Sequence, residues 1–119
     1  MLRCRQQSRD AAHFPMKISA ATLERLIEEA TVDAYSESEQ VTGFLTAIQD
    51  NLARPFVSRV LGVEVSVERI ELTDADEIVA MCRGGRTRQA VPVLMLPLGK
   101  PPPKGAKWIE AYRRWARRR

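Results

Sequence analysis

The sequence predicts an α+β fold in which an N-terminal α-helical hairpin packs on a small SH3-like antiparallel β-barrel, with a C-terminal helix after it. Three observations support this prediction. Apolar residues recur at helical spacing between residues 19 and 54, alternate with polar residues at strand spacing between residues 56 and 98, and return to helical spacing over residues 106–117. The 119 residues are enough for one domain with its own hydrophobic core.

The expected domain limits follow from the same patterns. Residues 1–15 show no apolar periodicity, so we expect a disordered N-terminal segment, and Met1 and Met16 both stay open as the translation start. Residues 16–119 are predicted to form a single α+β domain. Its parts in chain order are the helical hairpin 19–54, the β-barrel 56–98, a proline-rich connector 97–105 and the C-terminal helix 106–117.

Two apolar stripes define the hairpin. The stripes are Leu23, Leu26, Ile27, Ala30 and Ala34 in the first helix, and Val41, Phe44, Leu45, Ile48 and Leu52 in the second. Ser36 and Glu39 have the spacing of a capping box, and Pro55 ends the second helix. Gly43 is unfavourable by about 1 kcal/mol relative to alanine inside a helix, which indicates that another backbone approaches closely there.

Short strands separated by turns predict the barrel. The alternation that begins at Val63 resumes one residue out of step at Ile70, which indicates a β-bulge near residues 68–69. Further strands are predicted at 56–60, 78–82 and 89–96, with turns at 73–76 and 84–85 and with Pro92 favouring an edge position.

The predicted C-terminal helix combines an apolar stripe with a basic face. Its stripe holds Ile109, Tyr112, Trp115 and Ala116, with Trp108 beside it. We expect these aromatic residues to dock on the barrel, and the arginines to form a solvated face that complements the C-terminal end of the helix dipole.

The formal net charge of +4 is unevenly distributed. Residues 16–106 hold ten Lys/Arg against thirteen Asp/Glu, a net −3, whereas residues 1–15 carry +2 and residues 107–119 carry +5. An acidic body suits cations, and basic ends suit nucleic acid. No apolar run approaches the ~20 residues that span a membrane, and no apolar signal segment follows the basic start. We therefore expect a cytoplasmic protein without a membrane partner.

Catalytic residue types are scarce, so we expect a protein that is not an enzyme. The only histidine, His13, lies in the segment predicted to be disordered, which leaves a Ser–His or Cys–His pair without a credible member. Cys4 and Cys82 do not have the spacing of a zinc site or a disulfide framework. No glycine-rich phosphate-binding motif is present.

Carboxylates are the candidate ligands that cluster most clearly in the sequence. Glu28, Glu29, Asp33, Glu37 and Glu39 fall within twelve residues around the connection between the two predicted helices. A tight reversal there brings carboxylates toward one point, and Ca²⁺ takes six to eight oxygen ligands, whereas Mg²⁺ demands a stricter octahedron. The alternative is a solvated face in which Arg25 pairs with Glu29, Glu39 serves the capping box and Glu37 complements the helix dipole.

A second acidic group lies in the predicted turn at Asp74, Asp76 and Glu77. Its D-x-D opening is that of an EF-hand loop, but Val79 stands where that loop needs glycine and Gly85 where it needs glutamate. Either the turn holds Ca²⁺ weakly or its aspartates build an Asx-turn.

One stretch of the hairpin resembles a known family. Residues 32–56 read V-D-A-Y-x₃-E-Q-x₂-G-F-x₇-L-x₂-P-F, a pattern that resembles bacterial calcium-binding proteins of the CcbP type. The resemblance extends over roughly residues 24–98. It implies a helical region with a small SH3-like β-region, and Ca²⁺ bound by clustered surface carboxylates for buffering or sensing.

The resemblance and the carboxylate pattern together give the predicted site. Asp33 and Glu39 carry over from the family pattern as possible Ca²⁺ ligands. Proximity in sequence adds Glu29, Glu37, Asp74, Asp76 and Glu77. Members of that family are strongly acidic, so for this basic chain we expect a low affinity, about 10⁻⁴–10⁻³ M.

Two other functions stay open. One is a non-catalytic module that binds a protein partner through the SH3-like barrel. The other is nucleic-acid binding through the C-terminal residues Arg113, Arg114 and Arg117, with an affinity that falls steeply with salt. The sequence leaves the oligomeric state undetermined.

Overall fold

The structure is a computed structural model and describes residues 18–118. Within these residues the elements in chain order are α1 (Ala20–Thr31), α2 (Glu37–Asn51), β1 (Phe56–Val60), β2 (Val63–Leu72), β3 (Ile78–Gly84), β4 (Thr87–Pro92) and α3 (Lys107–Arg117). The expected disordered segment 1–15 and the two alternative starts lie outside the described residues. No helix in the described part of the chain is long and apolar enough to cross a membrane.

Local sequence determines where α1 and α2 begin. Ser19 Oγ accepts a hydrogen bond from the backbone N–H of Thr22 at the start of α1. At the start of α2, Ser36 Oγ accepts from the N–H of Glu39 at 3.1 Å while the Glu39 carboxylate accepts from the N–H of Ser36. The predicted capping box is therefore confirmed, and it satisfies N–H groups that no intrahelical carbonyl can reach.

The two helices touch where the sequence has Gly43. A Cβ atom built on Gly43 would overlap the carbonyl oxygen of Ala30 and would lie 3.1 Å from its carbonyl carbon. The predicted close backbone approach is confirmed, and α1 can contact α2 at this point only because position 43 has no side chain.

The predicted SH3-like barrel is wrong. The described strands form an open antiparallel sheet in the order β1-β2-β3-β4, so β1 and β4 are its edges. A barrel would need pairing between the first and last strands. Here the helices cover the apolar face of the sheet and bury it in one common core, so closure is not needed to remove that face from water.

The strand details agree with the sequence pattern in part. The register between β2 and β3 shifts between Val67 and Arg69, which confirms the predicted bulge. β4 ends at Pro92, before the predicted limit of 96, and residues 93–96 turn back toward α3 with a hydrogen bond from Met95 N–H to the Pro92 carbonyl. Proline at the end of an edge strand leaves the ladder intact.

The C-terminal helix completes the core from the side of the helices. The rings of Tyr112 and Trp115 lie 5.4 and 5.3 Å from the ring of Phe44 in α2, and 5.8 Å from each other. Trp115 Nε1 also donates to Gln40 Oε1 at 3.0 Å. The expected docking of these aromatics on a barrel is thus corrected, because their rings pack on Phe44 of α2, while Tyr112 also meets the backbone of Ile78 at the start of β3.

The proline-rich connector runs back past the first strand to reach α3. Ser58 Oγ donates to the Pro97 carbonyl at 2.6 Å, and the Ala53 N–H donates to the Lys104 carbonyl at 2.8 Å. The connector is therefore fastened to β1 and to the segment after α2, which fixes the point where α3 begins.

Candidate functional site

A shallow open groove lies at the junction of α1 and α2. It has a volume of about 360 Å³. Its polar lining residues are Asp33, Ser38, Glu39, Thr42 and Thr46, and its apolar ones include Val32, Ala34 and Gly43. We call this the helix-junction groove. It brings together the two carboxylates that the family pattern singles out, Asp33 and Glu39.

Asp33 lies just after the end of α1, with its side chain exposed. Its φ of +61° is in the left-handed region, which aspartate and asparagine adopt more readily than other residues with a side chain. This conformation turns the chain from α1 toward α2, and the Ala34 N–H closes the turn on the Thr31 carbonyl at 3.0 Å. Asp33 thus has a structural reason to be aspartate or asparagine, besides lining the helix-junction groove.

Glu39 has one carboxylate oxygen engaged in the cap of α2. Its Oε1 accepts from the Tyr35 N–H at 2.7 Å and from the Ser36 N–H at 3.1 Å. Both of these bonds use Oε1, so an ion bound through Oε2 would leave the cap intact. Carboxylates that bridge backbone donors and a cation are compatible with the flexible coordination of Ca²⁺.

The other two predicted ligands of this region do not line the groove. Glu29 lies on α1, where its Oε2 is 3.9 Å from Nε of Arg25, as the alternative interpretation predicts. Glu37 is the first residue of α2, a position where a carboxylate complements the helix dipole. The structure therefore groups two of the four predicted carboxylates of the junction.

Asp74 and Asp76 lie in the turn between β2 and β3, on a different surface from the groove. The side chain that closes this turn is Thr73, whose Oγ1 accepts from the N–H groups of Ala75 and Glu77, each at 3.2 Å. Asp76 contributes its φ of +62°. The proposed Asx-turn is therefore replaced by a turn built on a threonine hydroxyl.

The described residues contain no set of three or more His, Cys, Asp or Glu side chains placed to hold one metal ion. A cation in the helix-junction groove would have two carboxylates, with neighbouring hydroxyls, carbonyls and water as its other ligands. Such a donor set suits hard cations, and its low charge predicts weak binding.

The C-terminal arginines differ from the solvated basic face that the sequence predicts. Arg113 donates to the carbonyl oxygen of Val93 from Nε at 3.0 Å and from Nη2 at 2.8 Å. Arg114 Nε pairs with Glu24 Oε2 at 2.8 Å, while Arg117 is exposed at the end of α3. Two of the three arginines proposed for nucleic acid are thus engaged within the fold.

Cys82 is a cysteine of the described residues, and its surroundings do not activate it as a nucleophile. Cys82 lies buried in β3, and burial raises the pKa of its thiol, which disfavours the reactive thiolate. A larger surface hollow of about 540 Å³ between the starts of α1 and α3 is lined by Ser19, Thr22 and Lys107 among others. It joins hydroxyls to one amine without a neighbouring carboxylate in its described lining.

No family model, no curated protein and no solved structure matches the chain.

The sequence alone did not indicate two features of the described surface. Leu61, in the turn between β1 and β2, is exposed and has a φ of +51°, a conformation that a leucine side chain disfavours. The only sequence signal for this conformation is the spacing of two residues between β1 and β2, since a two-residue turn of type I′ places both of its residues at positive φ. The second feature is Arg113, whose side chain turns into the protein to bond the Val93 carbonyl; no residue near it in sequence indicates this.

Proposed function

We propose that this chain is a non-catalytic, cytoplasmic protein that binds Ca²⁺ with low affinity in the helix-junction groove, as a buffer or sensor. The observation that carries the proposal is the placement of Asp33 and Glu39 in one groove with the hydroxyls of Ser38, Thr42 and Thr46. The resemblance of residues 32–56 to calcium-binding proteins of the CcbP type supports the same two carboxylates.

Geometry restricts the proposed ligand set. Asp33 and Glu39 are the carboxylate ligands, and Glu29, Glu37, Asp74 and Asp76 are left out because they do not line the groove. With two carboxylates we expect a dissociation constant at the weak end of protein Ca²⁺ sites, about 10⁻⁴–10⁻³ M.

The test is a Ca²⁺ titration of backbone amide chemical shifts in ~0.15 M salt, where exposed charges are screened beyond ~8 Å. We expect saturable shifts centred on residues 31–46, and weaker, unsaturated shifts with Mg²⁺. The double variant Asp33→Asn with Glu39→Gln should lose saturation while keeping its melting temperature. Asparagine accepts the positive φ of position 33, and glutamine can still complete a capping box.

A matched control removes two carboxylates elsewhere. Asp74→Asn with Asp76→Asn makes the same change of charge in the turn between β2 and β3, and should leave the titration unchanged. Shifts that are linear in ion concentration, equal for Ca²⁺ and Mg²⁺, or equally reduced in both double variants would show diffuse charge screening and refute the proposed site.

A further inference from the structure

The turn between β1 and β2 holds the most exposed large apolar side chain of the described residues. Leu61 is 96% exposed, and its φ of +51° is one that a residue with a Cβ adopts only at a cost in free energy. With Gly62 at φ +79° it forms a two-residue turn of type I′ sign, for which Asn-Gly is a preferred pair. Leucine is therefore unfavourable here in both solvation and backbone conformation, which points to a contact outside its own chain.

The neighbouring turn places positive charge beside this leucine. A Cβ atom built on Gly84 would lie 3.7 Å from Cγ1 of Val63, so the β3–β4 turn lies alongside the β1–β2 turn at one end of the sheet. Arg86 lies in this β3–β4 turn, exposed, and among the described residues no ion pair engages it. We call Leu61, Val63 and Arg86 the hairpin tip.

The helix-junction groove has the complementary character. Its apolar lining includes Val32, Ala34 and Gly43, and its carboxylates are Asp33 and Glu39. Val32 is exposed although apolar, as Leu61 is. A volume of about 360 Å³ leaves room for a leucine side chain. One chain therefore carries both a basic apolar projection and an acidic groove with apolar walls.

We propose that the hairpin tip of one copy of this chain docks in the helix-junction groove of a second copy. Leu61 enters the groove, and Arg86 lies against its carboxylates, Asp33 and Glu39. Because the two surfaces are different parts of the chain, the contact is head-to-tail and leaves a free tip on one copy and a free groove on the other. The inference uses the groove of the calcium proposal but does not rest on Ca²⁺ binding.

Sedimentation in the presence of a Ca²⁺ chelator tests this contact. The weight-average mass of the full chain should rise over a concentration series reaching about 1 mM, the regime expected of a small interface. Leu61→Asn should remain monomeric throughout. Its melting temperature should rise, because asparagine fits the left-handed turn, so loss of association cannot be attributed to unfolding.

A mixing experiment tests which surfaces meet. The groove variant, Asp33→Asn with Glu39→Gln, should also be monomeric alone, because it keeps the hairpin tip but has lost the acidic groove. Mixed with Leu61→Asn, which keeps the groove, it should form a 1:1 complex that does not grow further. Met95→Asn, the same kind of change at another exposed apolar residue, should associate like the unmodified chain.

Monomers across the whole concentration series would overturn the proposal. So would association of the groove variant by itself, since that would mean tip-to-tip pairing, or a failure of the two variants to complement each other. Loss of the Ca²⁺ titration with intact association refutes the calcium proposal alone, so the two proposals fail separately.

Discussion

Arg113 belongs to a basic run of the sequence, yet its guanidinium is directed into the protein and binds backbone carbonyls there. Its Nε and Nη2 donate to the Val93 carbonyl, Nη2 also donates to the Leu96 carbonyl, and Nη1 donates to Glu110 Oε2 at 3.3 Å. The side chain is only 18% exposed. Burial lowers the pKa of the guanidinium, and the nearby Glu110 carboxylate opposes that shift. Arg113 thus fastens the turn after β4 to α3.

Replacing Arg113 should therefore destabilise the fold. We expect Arg113→Ala to lower the free energy of unfolding by about 2 kcal/mol, because buried carbonyls lose charged donors. Arg113→Lys should recover part of this, since lysine keeps the charge but lacks the planar fork of donors. Urea denaturation gives these values. Arg117→Ala, at an exposed position of the same helix, is the control, and an equal effect of both alanine variants would contradict the role given to Arg113.

At the scale of elements, α2 is held in place by contacts at its start, its middle and its end. Its start is fixed by the capping box, its middle touches α1 at Gly43, and its far end is held to the sheet by Gln49 Nε2, which donates to the Ile70 carbonyl at 2.8 Å. A helix held at three points leaves little freedom for the groove that its first turns form with α1.

The contact at Gly43 predicts that α2 does not tolerate a side chain at this position. We expect Gly43→Ala to destabilise the protein by about 1–3 kcal/mol through overpacking, although alanine is better by about 1 kcal/mol in helix propensity. Thr46→Ala, at an exposed position of the same helix, provides the control and should be neutral or slightly stabilising. Equilibrium unfolding of both variants checks this. A stabilised Gly43→Ala would mean that α1 can move away without loss.

Local signals explain which elements the sequence predicts correctly. The apolar stripes, the Ser36–Glu39 cap and the step in alternation near 68–69 involve neighbours in sequence. The structure has all three features, except that α1 ends at Thr31, before the predicted last stripe residue Ala34. Alternation in β2 indicates one buried face but not the element that covers it. The barrel was therefore wrong, because the covering surface comes partly from Tyr112 and Trp115, far along the chain.

The same limit applies to the candidate site. Asp33 and Glu39 are close in sequence and flank a reversal, so their shared groove follows from local pattern. Arg113 bonds to Val93, 20 residues earlier in the chain, and Arg114 pairs with Glu24, 90 residues earlier. From composition alone, these arginines are expected to form a basic face, because composition does not show which residues elsewhere in the chain bind them.

At the scale of the molecule, Glu24 joins the first described helix to the last. Its Oε2 accepts from Arg114 Nε at 2.8 Å, and Arg118 Nη2 lies 3.3 Å away. The hydrogen bond from Arg114, followed by the charges of Arg118 and Arg114, holds the pKa of the Glu24 carboxyl below its ordinary value of 4.5. The ion pair thus closes α3 onto α1 while Glu24 is ionised.

This linkage predicts how stability depends on pH. A carboxyl with a lowered pKa in the folded state contributes stability above its ordinary value of 4.5, and loses that contribution as pH falls through its folded pKa. Glu24→Gln should melt below the unmodified protein at neutral pH, and the difference should shrink to nothing in acid below 4.5. Thermal melts of both proteins from neutral to acid pH measure this difference in melting temperature.

The control for this prediction is on the same helix. Glu28→Gln removes an exposed carboxylate of α1, for which the described residues show no ion pair. Its melting difference from the unmodified protein should change little with pH. If the two variants show the same dependence on pH, the Glu24 contact with α3 does not hold in solution.

During synthesis on the ribosome, the core of this protein cannot close before α3 has emerged. α1 and α2 leave the exit tunnel before α3, and Phe44 meets its ring partners only after Tyr112 and Trp115 have been synthesised. Until then the apolar sides of α2 and of the sheet lack part of their cover, the condition in which nascent chains bind chaperones or aggregate. The core that contains Phe44 can therefore be completed only after α3 has been translated.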